Sequence, residues 1–208
     1  MGKRLFDIIC SSAGLIVLSP LFLVLAVVIR LDSAGPAFFR QERIGRNFRP
    51  FMIYKFRTMQ AGSDRQGAPI TVAGDGRVTR VGRSLRRYKL DELPQLINVL
   101  RGDMSLVGPR PEIRKYVELY RPAYEVLLTV RPGITDSASL EFSDEETVLS
   151  RSGDWEEDYR ARILPEKIAL SRRYVERQSL ASDVKIILKT ILRASGLNGC
   201  SESRPLFR

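Results

Sequence analysis

Histidine is absent from the 208 residues, and cysteine occurs only as Cys10 and Cys200. The first absence excludes imidazole general-base chemistry and histidine metal sites, and two cysteines cannot complete a zinc site alone. Acid-base and nucleophilic chemistry must then rest on carboxylates, and so little cysteine suits a reducing compartment. The length leaves room for one domain with a real core plus appendages, not for a second large domain. Positive charge, by contrast, is plentiful. A net charge of +10 and a pI near 10.0 call for an anionic partner: nucleic acid, an acidic lipid surface or a phosphorylated small molecule.

Charge is missing altogether from Ile8 to Ile29, a run of 22 residues. As a helix of ~33 Å it could just cross a hydrocarbon core of ~30 Å. Ser19-Pro20 lies at its middle, where proline lacks an N–H and clashes with the Ile16 carbonyl. A break there leaves arms of ~18 and ~15 Å, neither long enough to cross. Lys3 and Arg4 precede the run, and Arg30, Arg40, Arg43, Arg46 and Arg49 follow, so both flanks carry the cytoplasmic signature. The expectation is a re-entrant helix hairpin, with Ser19 hydrogen-bonding a carbonyl freed by Pro20. The run exceeds the usual signal-peptide length and no clear small-residue cleavage site follows, so the segment is expected to stay in the mature protein.

After the turn residues of 33–36, Phe38, Phe39 and the following arginines are expected to lie along a water-lipid boundary. Phe51 to Met59 reads as a strand placing Ile53, Lys55 and Arg57 on one face, an anion site or a solvated basic face. Residues 61–76 read as a loop that could serve as a lid. The densest chemistry lies in Arg83 to Glu112. Leu93, Leu96, Ile97 and Leu100 predict a helix from Asp91 to Gly102, with Asp91 as N-cap and the helix dipole keeping Asp91 and Glu92 ionised. Arg83, Arg86, Arg87 and Lys89 precede the pair, and Arg110 follows in a rigid Gly-Pro-Arg-Pro loop. Cations converging on two carboxylates suggest a phosphorylated substrate.

Beyond Pro111 a helix runs to Tyr120, where Pro122 ends or bends it. Glu141 to Glu146 reads as an acidic stretch that either bears on substrate choice or is a solvated loop, and Trp155 and Tyr159 as packing residues. In Ser182 to Ser195, Val184, Ile187, Leu188, Ile191 and Leu192 share one helical face while Lys185, Lys189 and Arg193 lie off it. Such a helix can lie in a membrane interface or pack on the core.

The motifs KFRTM at 55–59, LDELPQL at 90–96, NVLRGDMSLVGPRP at 98–111 and RPGIT at 131–135 resemble the bacterial sugar transferase family, the monotopic phosphoglycosyl transferases. Asp136-Ser137 departs from the Gly-Trp of many members, so no sugar contacts are carried over there. The resemblance implies a helix-rich α+β fold with a re-entrant membrane helix over 1–32, a cytoplasmic catalytic domain over 33–181, and an interfacial helix with its tail over 182–208. It also implies transfer of a sugar-1-phosphate from a UDP-sugar to polyprenyl phosphate at the cytoplasmic face of the bacterial inner membrane. UMP is released, and Mg²⁺ takes part. Asp91 is similar to the family's nucleophile and metal ligand, Glu92 to an acid/base or positioning carboxylate, and Lys55, Arg86 and Arg110 to its phosphate-binding residues. Membrane lipids are then partners and nucleic acid is not, with a homodimer left open. The competing class is a basic, membrane-tethered binder of nucleic acid or lipid headgroups, which needs neither carboxylate.

Overall fold

The computed structural model describes residues 2–63, 74–142 and 145–195. The loop read over 61–76 therefore falls mainly outside the described residues, as does part of the acidic stretch, and the tail from Gly196 does so entirely.

The uncharged run forms a single helix, α1 (Gly2–Asp32), which continues through Pro20 instead of dividing into two arms. Pro20 cannot donate to the Ile16 carbonyl, and the Ser19 hydroxyl donates to that carbonyl in its place at 2.8 Å. The interruption expected at Ser19-Pro20 is thus repaired locally by the residue assigned to do it. One stripe of α1, including Asp7, Ser11 and Ile29, is buried against the rest of the chain. The opposite face is apolar and open, with Ile16 and Val17 at 74% and 75% exposure.

Both ends of α1 are tied to the same body. At its start Lys3 donates to the Val107 carbonyl at 3.0 Å and pairs with buried Asp183 at 2.5 Å, while Arg4 donates to the carbonyls of Val99 and Leu100. Asp7 accepts from the Ser105 hydroxyl and the Leu106 N–H. At its end Asp32 accepts from the Val81 N–H, and Arg57 donates to the carbonyls of Ile29, Ser33 and Ala34. Arg57 is thus taken up by carbonyls in the last turn of α1 and just beyond it. It does not join Lys55 in an anion site, which corrects the strand-face reading.

Strand β1 (Phe38–Ile44) pairs antiparallel with β2 (Pro50–Phe56), in register from Phe38↔Phe56 to Ile44↔Pro50. The strand expected over 51–59 is present, shifted towards the turn. The stretch from Phe38, expected to lie along the lipid boundary, is its partner strand. The other edge of β2 is closed by one side chain: Asn98 accepts from the Tyr54 N–H at 3.0 Å and donates to the Met52 carbonyl at 2.8 Å. Asn98 projects from α3 (Gln95–Arg101), which stops at Gly102 in the left-handed conformation (φ 92°), as the sequence led us to expect.

A second, parallel pair joins β3 (Ser105–Val107) to β4 (Gly133–Thr135). It brings the Gly-Pro-Arg-Pro and Arg-Pro-Gly loops into backbone contact. A Cβ added at Gly133 would stand 2.1 Å from the Gly108 nitrogen. Only glycine permits that approach, so Gly133→Ala is expected to cost about 3 kcal/mol through forced backbone separation. The urea midpoint should fall, and turnover with it, because the same loop carries Arg110. An unchanged midpoint would contradict the packing.

The remaining described elements are mainly helices: α4 (Arg114–Leu119), α5 (Arg121–Leu127) with Pro122 in its first turn, α6 (Ser137–Glu141), α7 (Glu145–Leu149), α8 (Trp155–Asp158), α9 (Leu164–Arg177) and α10 (Leu180–Ala194). Tyr116, Phe142, Leu149, Tyr159, Ile163 and Leu164 form a buried cluster with Trp155 against it, as packing residues should. In α10, Asp183 and Ile186 face inward and Ile187 leans on the same core, whereas Val184, Leu188, Ile191 and Leu192 remain exposed. The apolar face is therefore split, and Ile187 belongs to the core side. Among the described residues the architecture is α+β and helix-rich, with two small sheets.

Candidate active site

Asp91 and Glu92 owe their position to what precedes them. Helix α2 (Arg80–Arg87) is capped by Thr79, whose hydroxyl accepts from the Gly82 N–H, and Gly82 presses on Thr58 so closely that an added Cβ would meet its carbonyl oxygen at 2.1 Å. The chain leaves α2 through Lys89, a non-glycine residue in the left-handed region (φ 56°, ψ 22°), and enters a 3-10 turn over Leu90–Glu92. Asp91 is inside that turn and does not cap α3, which begins at Gln95 after Pro94. This corrects the expected N-cap. It also removes the dipole argument, because a seven-residue helix starting four residues later is a weak local source of potential.

Nearby charges and burial decide the two carboxylates instead, and they push in opposite directions. Glu92 lies between two cations: Lys55 donates to Oε1 at 2.9 Å, and Arg110 grips both oxygens, reaching Oε2 at 3.1 Å and pairing with Oε1. Burial alone would raise Glu92, but Arg110 and Lys55 outweigh it and hold the carboxyl well below the usual range. Asp91, at 8% exposure, is raised by burial and then by the neighbouring Glu92 charge, against the opposing pull of Lys55, Arg86 and Lys89. Its Oδ1 is buried without a hydrogen-bond partner. Lys55 is lowered by burial despite Glu92, and Arg110 is raised chiefly by Glu92.

Lys55, Arg110, Asp91 and Glu92 therefore come together, though both cations are seated on Glu92. Arg86 stands beside them, donating from Nε to the Thr58 hydroxyl at 2.9 Å and pairing with Glu146 at 3.2 Å. Glu146 thus brings the acidic segment to the rim of the site. Arg83 and Arg87 are exposed and take no part. Sequence reasoning missed Thr58, Glu146 and two buried polar residues of α3, Gln95 and Asn98. Gln95 and Asn98 are polar at a three-residue interval in a helix otherwise apolar inward, and that spacing was the available signal.

Among the described residues no three acidic or sulfur side chains gather to hold a metal ion. A single buried carboxylate oxygen lacking a partner, beside a cluster of cations, nonetheless suits Mg²⁺. That ion takes one or two protein carboxylates and completes its shell with substrate phosphates and water. Asp91 is the residue that would hold it.

Residues 1–196 match the family described as bacterial sugar transferase. The chain is 43% identical over 192 residues to a UDP-N-acetylgalactosamine-undecaprenyl-phosphate N-acetylgalactosaminephosphotransferase of Aeromonas hydrophila, covering 91% of this chain and 42% of that protein. It is 40% identical over 194 residues to a UDP-glucose:undecaprenyl-phosphate glucose-1-phosphate transferase of Caulobacter vibrioides, covering 92% and 68%. Similarity to the exopolysaccharide production protein PSS of Rhizobium leguminosarum bv. phaseoli is 40% over 197 residues, covering 91% and 93%. The chain thus spans less than half of the first relative and nearly all of the third.

Proposed function

Since the chain belongs to the bacterial sugar transferase family, we propose that it moves a sugar-1-phosphate from a UDP-sugar to polyprenyl phosphate, through a covalent intermediate on Asp91, in glycoconjugate synthesis. The observation that carries this reading is the buried, unpartnered Asp91 oxygen beside a Glu92 clamp that holds Lys55 and Arg110 in place. A nucleic-acid or headgroup binder has no use for such a pair.

One Asp91 oxygen attacks the sugar-bearing phosphorus. An O–P bond forms as the bond to the nucleoside monophosphate breaks, and UMP leaves with the electron pair. A phosphate oxygen of the polyprenyl phosphate then attacks the same phosphorus, and the Asp91 carboxylate is released. Burial favours the first step by stripping water from the attacking oxygen, at the cost of a raised pKa. Lys55, Arg110 and Arg86 neutralise charge on the diphosphate, the principal requirement when an anion attacks an anion. Mg²⁺, when bound, adds further neutralisation at the phosphate oxygens. Glu92 is too strongly held as an anion to serve as an acid or base near neutral pH, so its role is to position the two cations.

For membrane placement, the two ends of α1 dock on one body while its apolar face stays open, an arrangement that supports entry and exit through the same leaflet. A spanning helix would put its two ends on opposite sides of the bilayer, where one body could not dock both. The exposed face of α10 adds an interfacial contact, and the catalytic body over 33–181 then sits at the cytoplasmic face of the inner membrane. In a background with Cys10→Ser and Cys200→Ser, Gly2→Cys and Arg49→Cys should be labelled from the same side of sealed vesicles. Labelling from opposite sides would establish a spanning helix.

The relatives named above differ in sugar, glucose in one and N-acetylgalactosamine in another, so the donor has to be found by experiment. A panel of UDP-sugars with polyprenyl phosphate and Mg²⁺ should release UMP with at least one donor. Failure with every donor would reject the proposal.

A further inference from the structure

The β1–β2 hairpin turns Lys55 towards the carboxylates, and its opposite face carries a different cluster. Arg40 and Tyr54 are cross-strand partners there, with the Arg40 guanidinium 5.1 Å from the Tyr54 ring centroid. Arg101, the last residue of α3, lies 5.1 Å from the same ring and donates to the Tyr54 hydroxyl at 2.5 Å. One tyrosine therefore steadies two guanidiniums by cation–π attraction. Among the described residues, neither arginine has a carboxylate partner; Glu42, the acid on this face, is turned to Arg114.

Both guanidiniums stand 5.1 Å from one ring centroid without a carboxylate counter-charge, so an anion that reaches Tyr54 is attracted by two cations at once. The surroundings indicate which anion. Phe38 and Met52 neighbour Arg40 and Tyr54 two residues along on the same strand face, Leu100 precedes Arg101, and the three are 41%, 44% and 40% exposed. The Leu100 carbonyl accepts from Arg4, in the first turn of α1, so the cluster adjoins the point where the open apolar helix meets the body. Exposed apolar side chains beside paired arginines suit the depth at which a lipid phosphate meets its acyl chains, and a guanidinium fork matches a phosphodiester.

We infer that Arg40, Tyr54 and Arg101 form a binding site for the headgroup of an anionic phospholipid, separate from the carboxylate site towards which the other face of the hairpin turns Lys55. The site adds a headgroup contact to the apolar contacts of α1 and α10, and resists in-plane rotation of the body about α1. This rests on the membrane reading given above.

The test uses the full chain in nanodiscs of phosphatidylcholine with a minor fraction of phosphatidylglycerol, counting lipids that remain bound by native mass spectrometry. The wild type should retain phosphatidylglycerol preferentially, and Arg40→Gln/Arg101→Gln should lose that preference by about fivefold per arginine. Arg160→Gln/Arg172→Gln, which removes the same charge from exposed positions elsewhere, should retain it. Equal losses in the two double variants, or no loss in either, would overturn the site. Free phosphate at millimolar concentration should not compete, and competition would reassign the site to a soluble anion. Flotation with neutral vesicles provides the separate control: a chain that fails to float would overturn the membrane reading and this site together. A chain that floats but shows no selective retention would overturn the site alone.

Discussion

Asp91→Asn is expected to reduce UMP release by on the order of ten-thousand-fold, as loss of an acting nucleophile does, without lowering the melting temperature. The second half follows from the direction of the pKa shift. The folded state raises Asp91, so ionising it costs stability, and that cost appears as pH rises from the ordinary carboxylate range through the raised value. Asparagine removes the charge and the cost, so at neutral pH the variant should melt at the same temperature or higher. For the wild type, turnover should fall with acid at a higher pH than an unperturbed aspartate would give, since the attacking form is the ionised one. Denatured enzyme quenched during turnover with labelled donor should carry the label on Asp91. Normal UMP release by the asparagine variant would remove this residue from the nucleophile's role.

Glu92→Gln should act through the opposite sign. Glu92 is held well below the usual range by Arg110 and Lys55, so its contribution is fully present above the ordinary carboxylate pKa and is lost as pH falls through the depressed folded value. Glutamine leaves Lys55 and Arg110 facing each other with their shared anion gone, at a cost of about 3 kcal/mol near neutral pH after allowance for their partial exposure. A urea titration should show this deficit at pH 7 and its narrowing in strong acid, where wild-type Glu92 is itself protonated. Turnover should fall as well, because the cations lose their seating. Adding Lys55→Met to Glu92→Gln should recover part of the stability but none of the activity. A variant that stays stable while its rate loses all pH dependence would instead make Glu92 an acid or base.

Local features of the chain were legible in one dimension. The uncharged run from Ile8 made a helix, β2 lay within three residues of its expected bounds, Gly102 stopped α3 and Pro122 divided two helices, because each depends on backbone restrictions or short periodicity. The motif order was enough to identify the family that the comparison then matched over 1–196. The types of side chain at the site were legible for the same reason: Asp91, Glu92, Lys55 and Arg110 do meet.

Their pairing was not. Residues 55 and 110 could have been seated on either of two adjacent carboxylates, and the 3-10 turn after Lys89 settles the choice by pointing Glu92 between them and leaving Asp91 buried alone. Arg57 alternates with Lys55 yet ends on carbonyls at and just beyond the end of α1, and Arg86 finds Glu146 across sixty residues of chain, since a long cation takes whichever acceptor the packed elements bring within reach. Sequence by itself determined several of the local elements, some of their ends and what chemistry is present. Only the tertiary structure decided which charge faces which, because Coulomb energy and desolvation depend on distances and burial that arise when segments far apart in the chain are pressed together.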